Sequence, residues 1–243
     1  MKILSLDSTA KVASAAVCED EKMLSSFTCK NALSHSELLL PMAIEAMKEA
    51  GTSIDEIGLF TCTVGPGSFT GVRIGTAVIK GLAFGRSIPC VPVSTLESLA
   101  ENLFPLDGIY CPLMDARRNQ VYNALFEARD GRLTRLCPDR AISLSELEKE
   151  LTEKYGERKI RFSGDGYEVA MSFFENTALN IEKTPYSLIE QNAVSTAICA
   201  YRKYLSGDFV SDSEFFPTYL RMPSAERERL ERLNQTEKQK EEK

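Results

Sequence analysis

Three groups of residues have the types and spacing that chemistry uses. The first is a glycine loop, Gly65-Pro66-Gly67-Ser68-Phe69-Thr70-Gly71, set between an apolar run and a helical one. Glycines let backbone N–H groups converge, and a following helix N-terminus favours an anion. The loop therefore reads either as a cradle for phosphate or carboxylate, or as a tight turn that packs a strand against a helix. No Lys-Ser/Thr follows at the spacing of a Walker A loop, and the glycines are not spaced as a dinucleotide fingerprint. The second group is acids at the ends of strands: Asp7-Ser8-Thr9, Asp115-Ala116-Arg117-Arg118 and Gly164-Asp165-Gly166. An acid in such a turn could meet a metal–phosphate group; equally, it could cap a turn or helix. Asp7, Ser8, Thr9, Gly65, Gly67, Ser68 and Asp115 together make a candidate vestigial nucleotide site. It is vestigial because Ala116 and two arginines follow Asp115 where glycine would let a phosphate reach the backbone. The third is His35, the one histidine of 243 residues. It excludes any metal site that needs two imidazoles, and a Ser-His-Asp triad would have to run through it. His35 is either a lone base or a first-turn helix residue.

Charge and composition narrow the partners. The net charge is −6 and the pI about 5.1, the opposite of a chain that grips nucleic acid alone. Arg117, Arg118, Arg132, Arg135 and Arg140 could cluster, but strong isolated affinity for RNA is not expected. Seven cysteines with no CxxC pair argue for reduced thiols and a cytoplasmic location. The apolar runs fall far below the roughly 20 residues that cross a bilayer, and Asp7 interrupts any secretory leader.

These residues need elements to hold them. Strands are expected at 3–6, 12–18 and 23–28, then a helix from 34 to 51 that opens on the capping box Ser34-His35-Ser36-Glu37 and contains Pro41. A buried strand at 59–64 leads into the glycine loop and a second helix at about 70–85. A strand at 90–93 and a helix from Ser94 follow. A boundary falls at 102–108, after which the pattern restarts: strands at 109–114, 121–126 and 132–136, a helix from Ser143 to about 155, a strand at 159–162 and a helix at 186–205. The architecture is α/β, with an N-terminal lobe at 1–104, a C-terminal lobe at 105–221 and a charged tail at 222–243 expected to be frayed or disordered.

Two helices look unusual. The first is apolar around most of its circumference, whereas a surface helix needs one stripe. It is either wholly buried or covered on one side by a partner. The second carries Gly71, Gly75, Gly81 and Gly85, and each interior glycine costs about 0.8–1 kcal/mol relative to alanine. Close approach of another backbone, within the chain or from a partner, would offset that cost.

Taken in order, Asp7-Ser8-Thr9, Ser34-His35-Ser36-Glu37 with Pro41, GPGSFTGVRIG at 65–75, Met114-Asp115-Ala116-Arg117-Arg118 with Val121-Tyr122, and Pro217-Thr218-Tyr219-Leu220-Arg221 resemble the TsaB (YeaZ) family over about residues 1–221. The resemblance implies an actin-like ATPase (ASKHA, ribonuclease H-like) fold with two related lobes. It implies a non-catalytic scaffold that pairs with TsaD, with TsaE as accessory ATPase and TsaC supplying the intermediate, in threonylcarbamoylation of adenosine next to the tRNA anticodon. TsaD-like proteins bind metal through an HxxxH pair on the first helix; here Leu39 follows His35 at that spacing, so no metal and no catalytic residue is expected. The implied interface lies on the first two helices, at Leu39, Met42, Ala43, Met47, Ile74, Gly75, Val78 and Gly81. A homodimer is expected when TsaD is absent, tRNA is met through the complex, and no membrane is involved. No cofactor is expected to bind this chain strongly; ATP or ADP would sit at the complex interface. The alternative is a nucleotide-dependent phosphotransferase or ATPase of the same fold acting alone through Asp7 and Asp115.

Overall fold

The computed structural model describes residues 1–30 and 34–221. The tail expected at 222–243 lies outside them.

β1 (Lys2–Asp7), β2 (Ala13–Glu19) and β3 (Lys22–Cys29) form an antiparallel meander, and α1 spans His35–Glu49. β4 (Ile57–Thr63), α2 (Phe69–Ala83) and β5 (Cys90–Val93) follow, and α3 is Thr95–Glu101. The first sheet has the order β3-β2-β1-β4-β5, with β4 and β5 parallel to β1. Nearly every residue of β1 and β2 is buried, because both faces of the sheet are covered. Leu4, Leu6 and Val17 face α1 and α2; Ile3, Ala16 and Cys18 face the opposite layer.

The second half builds a second sheet: β6 (Gly108–Asp115), β7 (Gln120–Asn123), β8 (Phe126–Arg129), β9 (Arg132–Arg135), β10 (Arg140–Ser143), then α4 (Leu144–Tyr155), β11 (Ile160–Ser163), α5 (Tyr167–Phe173) and α6 (Ala193–Leu205). β6 repeats the role of β1, with antiparallel neighbours on one side and a parallel strand, β11, on the other. The single strand expected at 121–126 is divided into β7 and β8. Both keep one register against β6, and the gap at Ala124 lies opposite Pro112, which brings no N–H to the ladder. The strand β10 and the helix α5 are short elements without a sequence signal of their own. The helix expected from 186 begins only at Ala193, where the Asn192 side chain accepts from Val194 N.

The sequence boundary at 104/105 falls between the sheets, but the lobes exchange helices across it. Leu96, Leu99, Ala100 and Leu103, from in and just after α3, pack with Tyr110, Met114, Phe126 and Ala128 of the second sheet. Ala193, Ala197 and Ala200 of α6 pack with Ile3, Leu59 and Val91 of the first. α3 and α6 thus make one layer between the sheets, joined by a buried Ser98–Thr196 hydroxyl pair at 2.8 Å. After α6 the chain stays on the first lobe. Val210 bridges Cys90, Phe215 is fully buried in the first core, and Thr218 N donates to Val64 O.

Candidate functional site

A cleft of about 870 Å³ opens between the lobes. The β1–β2 turn contributes Thr9 and Lys11, the glycine loop contributes Gly67 and Ser68, the end of β6 and the loop after it contribute Asp115, Arg117 and Arg118, and the C-terminal segment contributes Tyr219 and Arg221. Of the candidate nucleotide residues, Thr9, Gly67, Ser68 and Asp115 therefore meet at one cavity. Asp7, Ser8 and Gly65 do not line it.

The reason is how tightly the glycine loop is used by the chain itself. Ser68 N donates to Thr9 O, and Ser68 Oγ accepts from Gly71 N to cap α2. Ser8 Oγ donates to Gly71 O at 2.8 Å. A Cβ at Gly71 would lie 1.9 Å from Ser8 O, and one at Gly65, where φ is +120°, 2.5 Å from Thr218 O. The glycines thus admit backbone, from the first turn on one side and the C-terminal segment on the other. Asp7 is fully buried; its Oδ1 accepts from Thr9 N and Thr9 Oγ1, while Oδ2 has no partner among the described residues. Burial lifts this carboxyl to about 6, against the lowering effect of the Thr9 bonds. His35 Nε2 donates to Ala10 O at 2.6 Å, tying the first turn of α1 to the β1–β2 turn.

The loop after β6 is braced by its acids. Asp165 Oδ1 accepts from Asp115 N, and Asp115 Oδ1 accepts from Arg117 N. Burial raises the Asp165 carboxyl above its ordinary range. Of the five arginines that could cluster, only Arg117 and Arg118 line the cleft. Arg135 pairs with Asp139 and Arg140 with Glu150 on other surfaces. Lys11, Tyr122, Tyr219 and Arg221 complete the cleft and were not readable as a group, because three separate segments bring them together.

The second candidate surface is the outer face of α1 and α2, which lie side by side on the first sheet. Burial sorts the eight residues expected at the interface. Leu39, Ala43, Met47 and Gly75 are buried against the chain's own core, and Met42, Ile74 and Val78 are half-buried and packed on it. A 3.6-residue period places these positions on the sheet side. The exposed apolar residues are instead Leu40 and Ile44 on α1 and Ala77 and Phe84 along α2, with Phe84 79% exposed just past its end. Gly81 is exposed among them, and a Cβ there would meet nothing within 4 Å.

No helix among the described residues is long and apolar enough to cross a membrane, and no group of three or more metal-ligating side chains occurs among them. The family model of TsaD, tRNA N6-adenosine threonylcarbamoyltransferase, matches residues 30–229. The tRNA threonylcarbamoyladenosine biosynthesis protein TsaB of Bacillus subtilis is 32% identical over 164 residues, which cover 68% of this chain and 71% of that protein. TsaB of Escherichia coli is 35% identical over 130 residues, 52% of this chain and 55% of that one. YeaZ from Pseudomonas aeruginosa, at 24% identity, shares the fold with a TM-score of 0.73 over 90% of this chain and 99% of its own. With its two related sheets, its ordered motifs and these matches, the chain belongs to the TsaB (YeaZ) family, within the wider family described by the TsaD model.

Proposed function

We propose that this chain is the non-catalytic scaffold subunit that pairs with TsaD, together with TsaE, for threonylcarbamoylation of adenosine next to the anticodon in tRNA. The observation that carries the reading is the outer face of α1 and α2. Leu40 and Ile44 on α1 and Phe84 just past α2 are 40, 53 and 79% exposed, and the backbone at Gly81 on α2 is open. An apolar face of this kind marks an interface, and a glycine on it lets a facing helix come close. In the absence of TsaD the same face would be covered by a second copy through a two-fold contact. The chemistry belongs to the partner, since one histidine cannot make an HxxxH pair and Leu39 stands at its second position. A cytoplasmic location follows from the tRNA substrate and the free thiols.

ATP or ADP fits the interface of the complex better than this chain alone, because the glycine loop is filled by Thr9 and Thr218 and Asp7 is sealed beneath the turn. The same observations weigh against a solitary phosphotransferase.

The test mixes this chain with the TsaD of the same organism and measures mass by light scattering after gel filtration. tRNA modification is then assayed with TsaC and TsaE, with and without this chain. A 1:1 complex and modification that depends on the chain are expected. No complex and no dependence would refute the reading.

A further inference from the structure

We propose that the cleft between the lobes takes the phosphate backbone of an RNA, gripped by Lys11, Arg117, Arg118 and Arg221. The inference rests on the complex proposed above and names what this subunit adds to it. In a chain of net charge −6, most arginines among the described residues are spent on carboxylates: Arg86, Arg129, Arg135, Arg140, Arg158, Arg161 and Arg202 each hold at least one. Among the described residues, Lys11, Arg117, Arg118 and Arg221 hold none, and all four line the same cavity. Arg221 Nη2 donates to the neutral Gln120 Oε1 at 2.7 Å and lies over the Tyr122 ring. The two carboxylates in the cleft, Asp115 and Asp165, accept backbone N–H groups of the loop and so brace it.

The loop that carries two of the cations is strained. Arg117, Arg118 and Asn119 have φ of 63°, 56° and 55°, three consecutive left-handed residues without a glycine. Such a conformation is unfavourable for residues that carry a Cβ. Its bracing bonds run to Asp115 Oδ1, to Arg117 O from Gln120 N, and from Ala116 N to Gln120 O. A surface loop that serves packing alone has no need of this geometry; here it sets two guanidinium groups at the cleft.

The occupant follows from what surrounds the cations. A nucleotide polyphosphate wants an open glycine cradle and an accessible acid for its metal. The cradle is filled by Thr9 O and Thr218 O, and Asp7 is fully buried. A phosphodiester backbone needs neither; it needs separated cations, supplied here from both lobes, and aromatic faces such as Tyr122 and Tyr219 beside them. The acidic net charge keeps the isolated chain a weak binder, so the contact is made inside the complex.

The test uses the complex with TsaD and the double variant Arg117→Gln, Arg118→Gln, with Arg117→Lys, Arg118→Lys as the charge-keeping control. Light scattering should show unchanged pairing. Fluorescence anisotropy with labelled tRNA should show affinity reduced at least about fivefold, and a plot of log affinity against log salt flatter by about 1.4–1.8 for two lost contacts. The lysine variant should keep most of both. Equilibrium dialysis with labelled ATP separates the other phosphate source. Unchanged tRNA affinity and salt slope would overturn the proposal, and would assign the cleft to a nucleotide if ATP binding fell instead. If the unmodified chain does not pair with TsaD, the scaffold reading fails before RNA is added, and this inference falls with it.

Discussion

Alanine at two glycines of α2 should act with opposite signs. At Gly71 the new Cβ would sit 1.9 Å from Ser8 O, about 1.4 Å inside the distance of roughly 3.3 Å at which carbon meets oxygen. Ser8 cannot yield easily: it is 1% exposed, and its hydroxyl donates to Gly71 O. Overpacking of this kind costs about 3 kcal/mol. The helical gain of alanine returns roughly 1 kcal/mol, leaving a net loss of about 2 kcal/mol. At Gly81 nothing lies within 4 Å, so only the gain remains, up to about 1 kcal/mol. For 243 residues, 1 kcal/mol moves Tm by about 2 °C. Circular dichroism melts of the chain, diluted until light scattering shows the monomer, should therefore fall about 4 °C for Gly71→Ala and rise by up to about 2 °C for Gly81→Ala. Pairing should separate the two again. A methyl group at a close helix contact should weaken the complex with TsaD about tenfold at Gly81 despite the higher Tm. A Gly81→Ala chain that is more stable and pairs undiminished would refute the argument that this glycine exists for a partner's approach. A neutral Gly71→Ala would refute the packing of the loop.

Other expectations follow from burial and charge. Ile44→Glu, at a half-exposed position, should abolish pairing while changing stability by no more than about 0.5 kcal/mol, whereas Leu39→Ala should cost about 2–5 kcal/mol and affect pairing only through the fold; light scattering and melts on both variants separate the faces. Asp7 has a carboxyl raised from 3.8 to about 6, so the folded state holds its proton more tightly than the unfolded chain. Its stabilising proton is fully present below about pH 3.8 and is lost as pH rises through 6, at a cost of about 3 kcal/mol. Asp7→Asn should therefore gain stability relative to the parent from pH 4 to pH 7 and hold that gain above; a difference independent of pH would show that Asp7 is not the group responsible.

The elements of the first lobe were legible because each announces itself locally. The first two strands are apolar or small and β-branched runs and the third alternates loosely, Ser34 and Ser94 begin capping boxes or caps, and the glycine loop stands between a strand and a helix. What escaped was whatever depends on a distant neighbour. The break at Ala124 is set by Pro112 on another strand, and α6 joins the first sheet although it follows the second in the chain. Which side of α1 faces outward was not legible for a related reason. Composition told that α1 is apolar nearly all round, but only the sheet beneath it decides that Leu39, Ala43 and Met47 turn inward while Leu40 and Ile44 turn out.

The glycine motif joins these strands of argument. Its sequence suggested a phosphate cradle, and the geometry gives each glycine a protein backbone to receive instead: Thr9 O at Gly67, Ser8 O at Gly71, Thr218 O at Gly65. The residues between and after them continue the same work. Phe69 and Arg73 hold Tyr219, with the guanidinium 3.8 Å over the Phe69 ring and Arg73 Nε donating to the Tyr219 hydroxyl at 2.8 Å. Two residues later Arg221 reaches Gln120 of the second lobe. The motif therefore ties the first turn, α2 and the C-terminal segment into one unit that spans the cleft. A loop shaped to bind phosphate would leave its backbone donors open to solvent; one shaped to hold the lobes together would spend them on the chain, as Ser68 N and Gly71 N are spent here. The motif's chemistry has become architecture, which is what the scaffold role proposed for this chain requires.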